Sequence, residues 1–215
     1  MHLPDGFLSP PVWGALGLVA VATLGVCVVR VRRDMPEDMV PRMGMLGAFV
    51  FAAQMVNIPV AAGTSGHLLG GVLVASLLGA EAATLVMASV FVIQCLLFQD
   101  GGMLAMGANI VNMGLTGTIG GFLLMCAALR VVKPRYRDLA VFGAAWFTVV
   151  ATSALVSLEL TASGVVPLVP SLVAMVSIHA VIGLIEGAVT VGVIRFLERV
   201  RPEVLDDTPL AVGAS

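Results

Sequence analysis

The sequence predicts an all-α integral membrane protein, a single bundle of seven transmembrane helices with its N-terminus outside and its C-terminus cytoplasmic. Three observations carry this. Apolar residues make up 59% of the 215 and charged residues only 11%, against about 25% charged in an ordinary soluble domain. The mean hydropathy is +1.06. All 11 Lys and Arg fall in three clusters that seven crossings put on one side.

A helix crosses a hydrocarbon core of about 30 Å with roughly 17–25 apolar residues. Runs of this kind occupy residues 12–29, 43–60, 82–98, 103–129, 139–160 and 171–194. A further run, 66–80, is short and Gly-rich, and also reads as re-entrant or tilted. Between the first two runs lie Arg30, Arg32, Arg33 and Arg42. Arg130, Lys133, Arg135 and Arg137 lie between the fifth and sixth, and Arg195, Arg199 and Arg201 follow the seventh. Basic loops stay cytoplasmic, which fixes the orientation; six or eight spans would scatter the clusters. Residues 1–200 then form one transmembrane domain and 201–215 a polar cytoplasmic tail. The partner such a composition implies is the lipid bilayer, and nothing in it suits a nucleic acid. Cys27, Cys95 and Cys126 sit inside apolar runs and read as small packing residues. Small-xxx-small spacings such as Ala48/Ala52 and Gly183/Gly187 permit close helix contact. The first run lacks a basic leader and a cleavage site, so Met1 is expected to be the working N-terminus.

The chain opens MHLPDGFLSP. A histidine at position two makes an unusual chelate. The terminal amine of Met1 and the backbone nitrogen of His2 close a five-membered ring on an ion, and that nitrogen and the imidazole Nδ1 close a six-membered one. Ni(II) and Cu(II) can promote the deprotonation of the backbone nitrogen that this requires, Zn(II) and Mg(II) generally do not, and planar nitrogen coordination points to Ni(II) or Cu(II). His67, in PVAAGTSGHLLGG, falls on the same outer face and could supply a fourth nitrogen; taken alone, a histidine at a helix start is more often a cap or interface residue than a ligand. Thr64 and Ser65 could cap the next helix or orient the imidazole. The outer face carries Asp5, Asp100 and Glu159 and no base, which favours cations locally or serves loop solubility.

His179 and Glu186 stand seven residues apart on one helix face. Ionisable groups inside a span face the bundle interior and mark function or a partner. They read either as a relay on an ion path or, preferably, as part of a packing network with Gln54, Asn57, Gln94, Asn109 or Asn112.

These segments resemble a known family. MHLPDGFLSP, GTSGHLLGG at 63–71, QCLLFQDGGMLAMGANIVNMG at 94–114 and HAVIGLIEG at 179–187 are similar to the CbiM/NikM family, the substrate-binding membrane subunits (S components) of cobalt and nickel energy-coupling-factor transporters; Leu3 stands where Ile is common. The resemblance covers about residues 1–195. It implies seven helices and a Co(II) or Ni(II) ion as transported substrate, with no organic cofactor. The implied ligands are the Met1 amine, the His2 backbone and imidazole nitrogens, and His67. The implied partners are a transmembrane coupling subunit (T component), cytoplasmic ATPase subunits and a separate small accessory membrane subunit, in the cytoplasmic membrane of a prokaryotic cell. The absence of a GxxxxGK[ST] phosphate loop agrees with ATP hydrolysis elsewhere. The rival readings are a stand-alone secondary divalent-metal permease, an intramembrane enzyme, for which a single His179 and Glu186 make no convincing catalytic pair, and a packing subunit without a ligand. The ligand set does not separate cobalt from nickel.

Overall fold

Runs of Val, Leu, Ala and Gly with no Pro beyond a helix's first turn leave the backbone to bond its own carbonyls, so the chain is built from helices. The computed structural model describes residues 1–33, 35–56, 58–59, 65–206, 208 and 210. In chain order the helices are α1 (Pro10–Arg33), α2 (Met39–Gln54), α3 (Gly71–Leu78), α4 (Ala80–Phe98), α5 (Met106–Val131), α6 (Arg137–Ala162) and α7 (Leu168–Val200). Between α2 and α3 a minimal antiparallel pair joins β1 (Ile58–Pro59) to β2 (Ser65–Gly66), Ile58 opposite Gly66. The middle of α5, Ile110–Gly120, is π-helical over 11 residues, longer than the single turn usual for this conformation.

Five helices, α1, α4, α5, α6 and α7, are long and apolar enough to cross a membrane. The others are shorter than the sequence suggests. The 16 residues of α2 reach about 24 Å and the 8 of α3 about 12 Å. The expected helix at 66–80 is therefore confined to 71–78. Its start is fixed where the Leu69 and Gly70 N–H groups donate to the Glu186 carboxylate at 2.8 and 2.6 Å, and Gly70 adopts φ 77°. All eight residues of α3 are buried; it is a core element enclosed by the longer helices.

Polar contacts gather the helix ends into two sets. At one end Arg30 of α1 pairs with Glu81 of α4 at 2.8 Å. Arg42 of α2 donates to the Leu77 carbonyl of α3 and the Val204 carbonyl beyond α7. Arg137 of α6 pairs with Glu198 of α7, and Arg195 with Asp138. At the other end Ser9, before α1, donates its N–H to Ser163 Oγ, after α6, at 3.0 Å, and Gln54 of α2 bonds Gln94 of α4. Successive helices thus run in opposite directions. Outward-facing Leu18, Val21, Leu97 and Val169 stay exposed, as lipid-facing side chains do. The start of the tail packs back on the bundle, with Leu205 and Leu210 buried.

The core is tightest where α3 meets α5. A Cβ at Gly71 would lie 2.6–2.8 Å from the backbone of Gly117. Gly71→Ala is expected to lower stability by about 1–3 kcal/mol, read as a fall in the thermal midpoint in detergent. Gly143→Ala, where a Cβ meets nothing within 4 Å, should leave it unchanged.

Candidate metal centre

A polar chain segment enters an apolar bundle only if its backbone groups are bonded. The first residues meet this condition through two side chains. Leu3 N–H donates to Asn109 Oδ1 at 2.8 Å, and its carbonyl accepts from Asn109 Nδ2 at 3.1 Å and Gly102 N–H at 2.8 Å. The Asp5 carboxylate accepts from the N–H groups of Met103, Leu104 and Ala105 at 2.8–3.1 Å. It binds the otherwise unpaired donors at the start of α5, where the helix dipole also favours an anion. Gly102 is required here, since any Cβ would collide with Asp5. Met1, His2 and Leu3 are consequently buried.

His67 is held on the other side of the same centre. Its ring stacks on His2 with centroids 4.9 Å apart and planes at 27°, and Phe91 packs edge-on against His2. His67 Nδ1 lies 2.7 Å from the Leu68 carbonyl, so the proton sits on Nδ1 and Nε2 carries a bare lone pair. Both His67 Nε2 and His2 Nε2 are buried without a hydrogen-bond partner. The loop is braced two residues on, where Glu186 of α7 holds Leu69 and Gly70 and Gln54 Nε2 donates to the Leu69 carbonyl at 2.8 Å. Gln94 Nε2 in turn donates to Gln54 Oε1 at 3.0 Å.

Electrostatics strip these nitrogens of protons. Burial lowers the Met1 amine from 8.0 to about 5, with the Asp100 charge opposing. Burial, then the neighbouring amine, lower His2 from 6.5 to about 3. His67 is held well below 6.5 by burial first, then by the amine and His2. At neutral pH the amine and both rings are neutral, the state a metal ligand requires. Among the described residues no three His, Cys, Asp or Glu side chains converge to hold an ion.

The remaining candidates are distributed as follows. His179 is buried in α7, its Nδ1 2.7 Å from the Met175 carbonyl and its Nε2 unpartnered. Glu186 braces α3 as described. Asp5 serves the backbone of α5. Glu159 lies in the last turn of α6, where it accepts from Asn112 Nδ2 at 2.7 Å. Asn57, Thr64 and the side chain of Ser65 lie outside the described residues. The clasp by Asn109 and the helix-start role of Asp5 have no signature in spacing, because their partners are backbone groups about 100 residues away. The nearest signal is the Asp5-Gly6 turn.

Bundle and centre together define a class: a multi-pass membrane protein with a cluster of buried, unprotonated nitrogens at one end. Known proteins narrow it. Residues 2–204 match the family described as CbiM, cobalt uptake substrate-specific transmembrane region, and the chain belongs to that family. A cobalt transport protein CbiM of Sorangium cellulosum is 32% identical over the whole of both chains. A relative in Archaeoglobus fulgidus, provisionally named a fused nickel transport protein NikMN, is 36% identical over 96% of this chain and 68% of its own. A crystal structure of a transition metal transporter superposes with a TM-score of 0.84 at 30% identity, covering 93% of each chain. The family is a metal transport component of prokaryotic cell membranes and not an enzyme.

Asp5→Ala removes the shared acceptor of three N–H groups. It should cost about 1–2 kcal/mol and loosen the N-terminal segment. The expected readout is faster hydrogen exchange at Met103–Ala105 and faster labelling of the Met1 amine, with α6 and α7 unaffected.

Proposed function

We propose that this chain captures Co(II) or Ni(II) at the outer face of the membrane, as the substrate-binding subunit of an ATP-driven energy-coupling-factor importer. The ligands are the Met1 amine, the His2 backbone nitrogen, the His2 imidazole Nδ1 and His67 Nε2. The observation that carries this reading is the stacked pair of buried imidazoles beside a buried terminal amine, with the His67 lone pair unused. An unsatisfied buried acceptor costs about 1–3 kcal/mol, and an ion bound there recovers it. Second, all four donors are nitrogen, which suits these two metals better than Mg(II) or Ca(II). The relatives' names assign them nickel or cobalt transport.

In this reading the chain crosses the membrane seven times, N-terminus outside and C-terminus cytoplasmic, with α3 as a short buried pass. Its support is the alternating direction of the helices and the gathering of basic residues at one end. A transmembrane coupling subunit and cytoplasmic ATPases supply the energy and deliver the ion inward.

The test is Ni(II) and Co(II) affinity of the protein with an unblocked Met1, beside a variant with one extra residue before Met1 and His67→Ala. Loss of an outer partner of a metal ligand alone costs 10–100-fold, so each change should cost more than about 100-fold. Unchanged affinity in the extended protein would remove the amine from the site. Ion uptake by the purified chain alone in liposomes would favour a stand-alone permease.

Proton release gives an independent prediction. Binding through the His2 backbone nitrogen expels its proton at any pH. With the amine at about 5 and His2 at about 3, the rest of the site is already deprotonated at pH 7. About one proton should leave per ion at pH 7, rising towards two below pH 5. An unshifted amine at 8.0 would already give about two at pH 7. Calorimetry in buffers of different ionisation enthalpy distinguishes them.

A further inference from the structure

Away from the nitrogen centre, α1, α2 and α4 enclose a long open groove of about 610 Å³. α1 (Val28, Val31) and α2 (Gly44, Gly47) line its two sides and both pack on α4, whose Val86 and Val90 line it between them. Among the described residues Arg32 is the one charged residue that lines it. A second depression of about 340 Å³ shares Val31 with the groove and adds Arg30, Arg33 and Glu81. One end is therefore cationic and the rest apolar. Arg30 is engaged by Glu81 at 2.8 Å. Arg32 and Arg33 make no ion pair among the described residues, and they end α1 where basic residues gather.

The shape limits the occupant. Along α2 the lining runs from Val40 to Phe51, about 16 Å at the helical rise. A single hydrocarbon chain needs no polar partner along such a lining. Guanidiniums at the mouth of an apolar slot between helices suit a phosphate carried on such a chain.

We infer that this groove is a binding site for one anionic phospholipid, its acyl chain lying between α1 and α2 beside Gly44 and Gly47 and its phosphate held by Arg32 and Arg33. The site is separate from the nitrogen centre and does not depend on the ion that centre binds. Its use is to seal the α1–α2–α4 face in the leaflet on the basic side, where anionic lipid is attracted to arginines.

The experiment is native mass spectrometry with thermal midpoints on the full chain, delipidated and then given phosphatidylglycerol, phosphatidylcholine of the same acyl chains, or glycerol phosphate. One tightly retained phosphatidylglycerol with a raised midpoint is expected, and no such effect from the other two. Arg32→Gln with Arg33→Gln should weaken phosphatidylglycerol about 25-fold, some fivefold for each arginine. Arg32→Lys with Arg33→Lys should keep most of it. Gly44→Leu, whose Cβ has open space, should fill the groove and expel the lipid while the protein stays folded. Equal retention of phosphatidylglycerol and phosphatidylcholine, indifference to the glutamine pair, or equal protection by glycerol phosphate would overturn the proposal. So would cross-linking from Ile93 that captures a second membrane protein in place of lipid.

Discussion

Everything at the end of the bundle that holds the nitrogen cluster depends on bonding the backbone of residues 1–5. An amine, an imidazole and several peptide groups are taken out of water there, and each would be costly to leave unpaired. Asn109 answers for Leu3 by offering an acceptor and a donor at once, so that one side chain acts as a strand partner would. Asp5 answers for the start of α5. With those demands met, Met1 and His2 can be held against His67 without water, and their low proton affinity follows from the same burial.

The second constraint is the carboxylate of Glu186. It is buried, yet it faces two N–H groups at the start of α3 that would otherwise be unpaired. This contact fixes where α3 begins and therefore where His67 stands. It also binds the loop to α7, while Gln54 and Gln94 bind it to α2 and α4. Three helices thus share the positioning of one imidazole.

Much of this was legible in the sequence. Composition and run length gave the helices and nearly their bounds, since an apolar run has few other ways to satisfy its backbone. Met1, His2 and His67 could be grouped because their chemistry and face were readable. Other features were not. The run at 66–80 is apolar enough for a span, but its helix starts only at Gly71 because a residue 115 positions later binds the preceding N–H groups. Asp5 and Glu159 read as surface acids by position alone, whereas their partners are a backbone turn and Asn112. The π-helical centre of α5 leaves no periodic trace at all. For the α3 start and the two acids the deciding contact is distant in sequence and made to a backbone or amide group that any residue pattern conceals.

The contact between Gly71 and Gly117 carries a mechanical consequence. Two backbones in direct touch have no side chain between them to rearrange, so α3 and the middle of α5 have little freedom to slide past each other. They behave as one lever, and Glu186 is the pin that couples it to α7. The N-terminal segment is attached differently, by a handful of hydrogen bonds over five residues. The two halves of the nitrogen cluster therefore differ in stiffness: His67 is mounted on the frame, and Met1 and His2 on a strap. The compliant half is the one that can yield without unpacking the bundle.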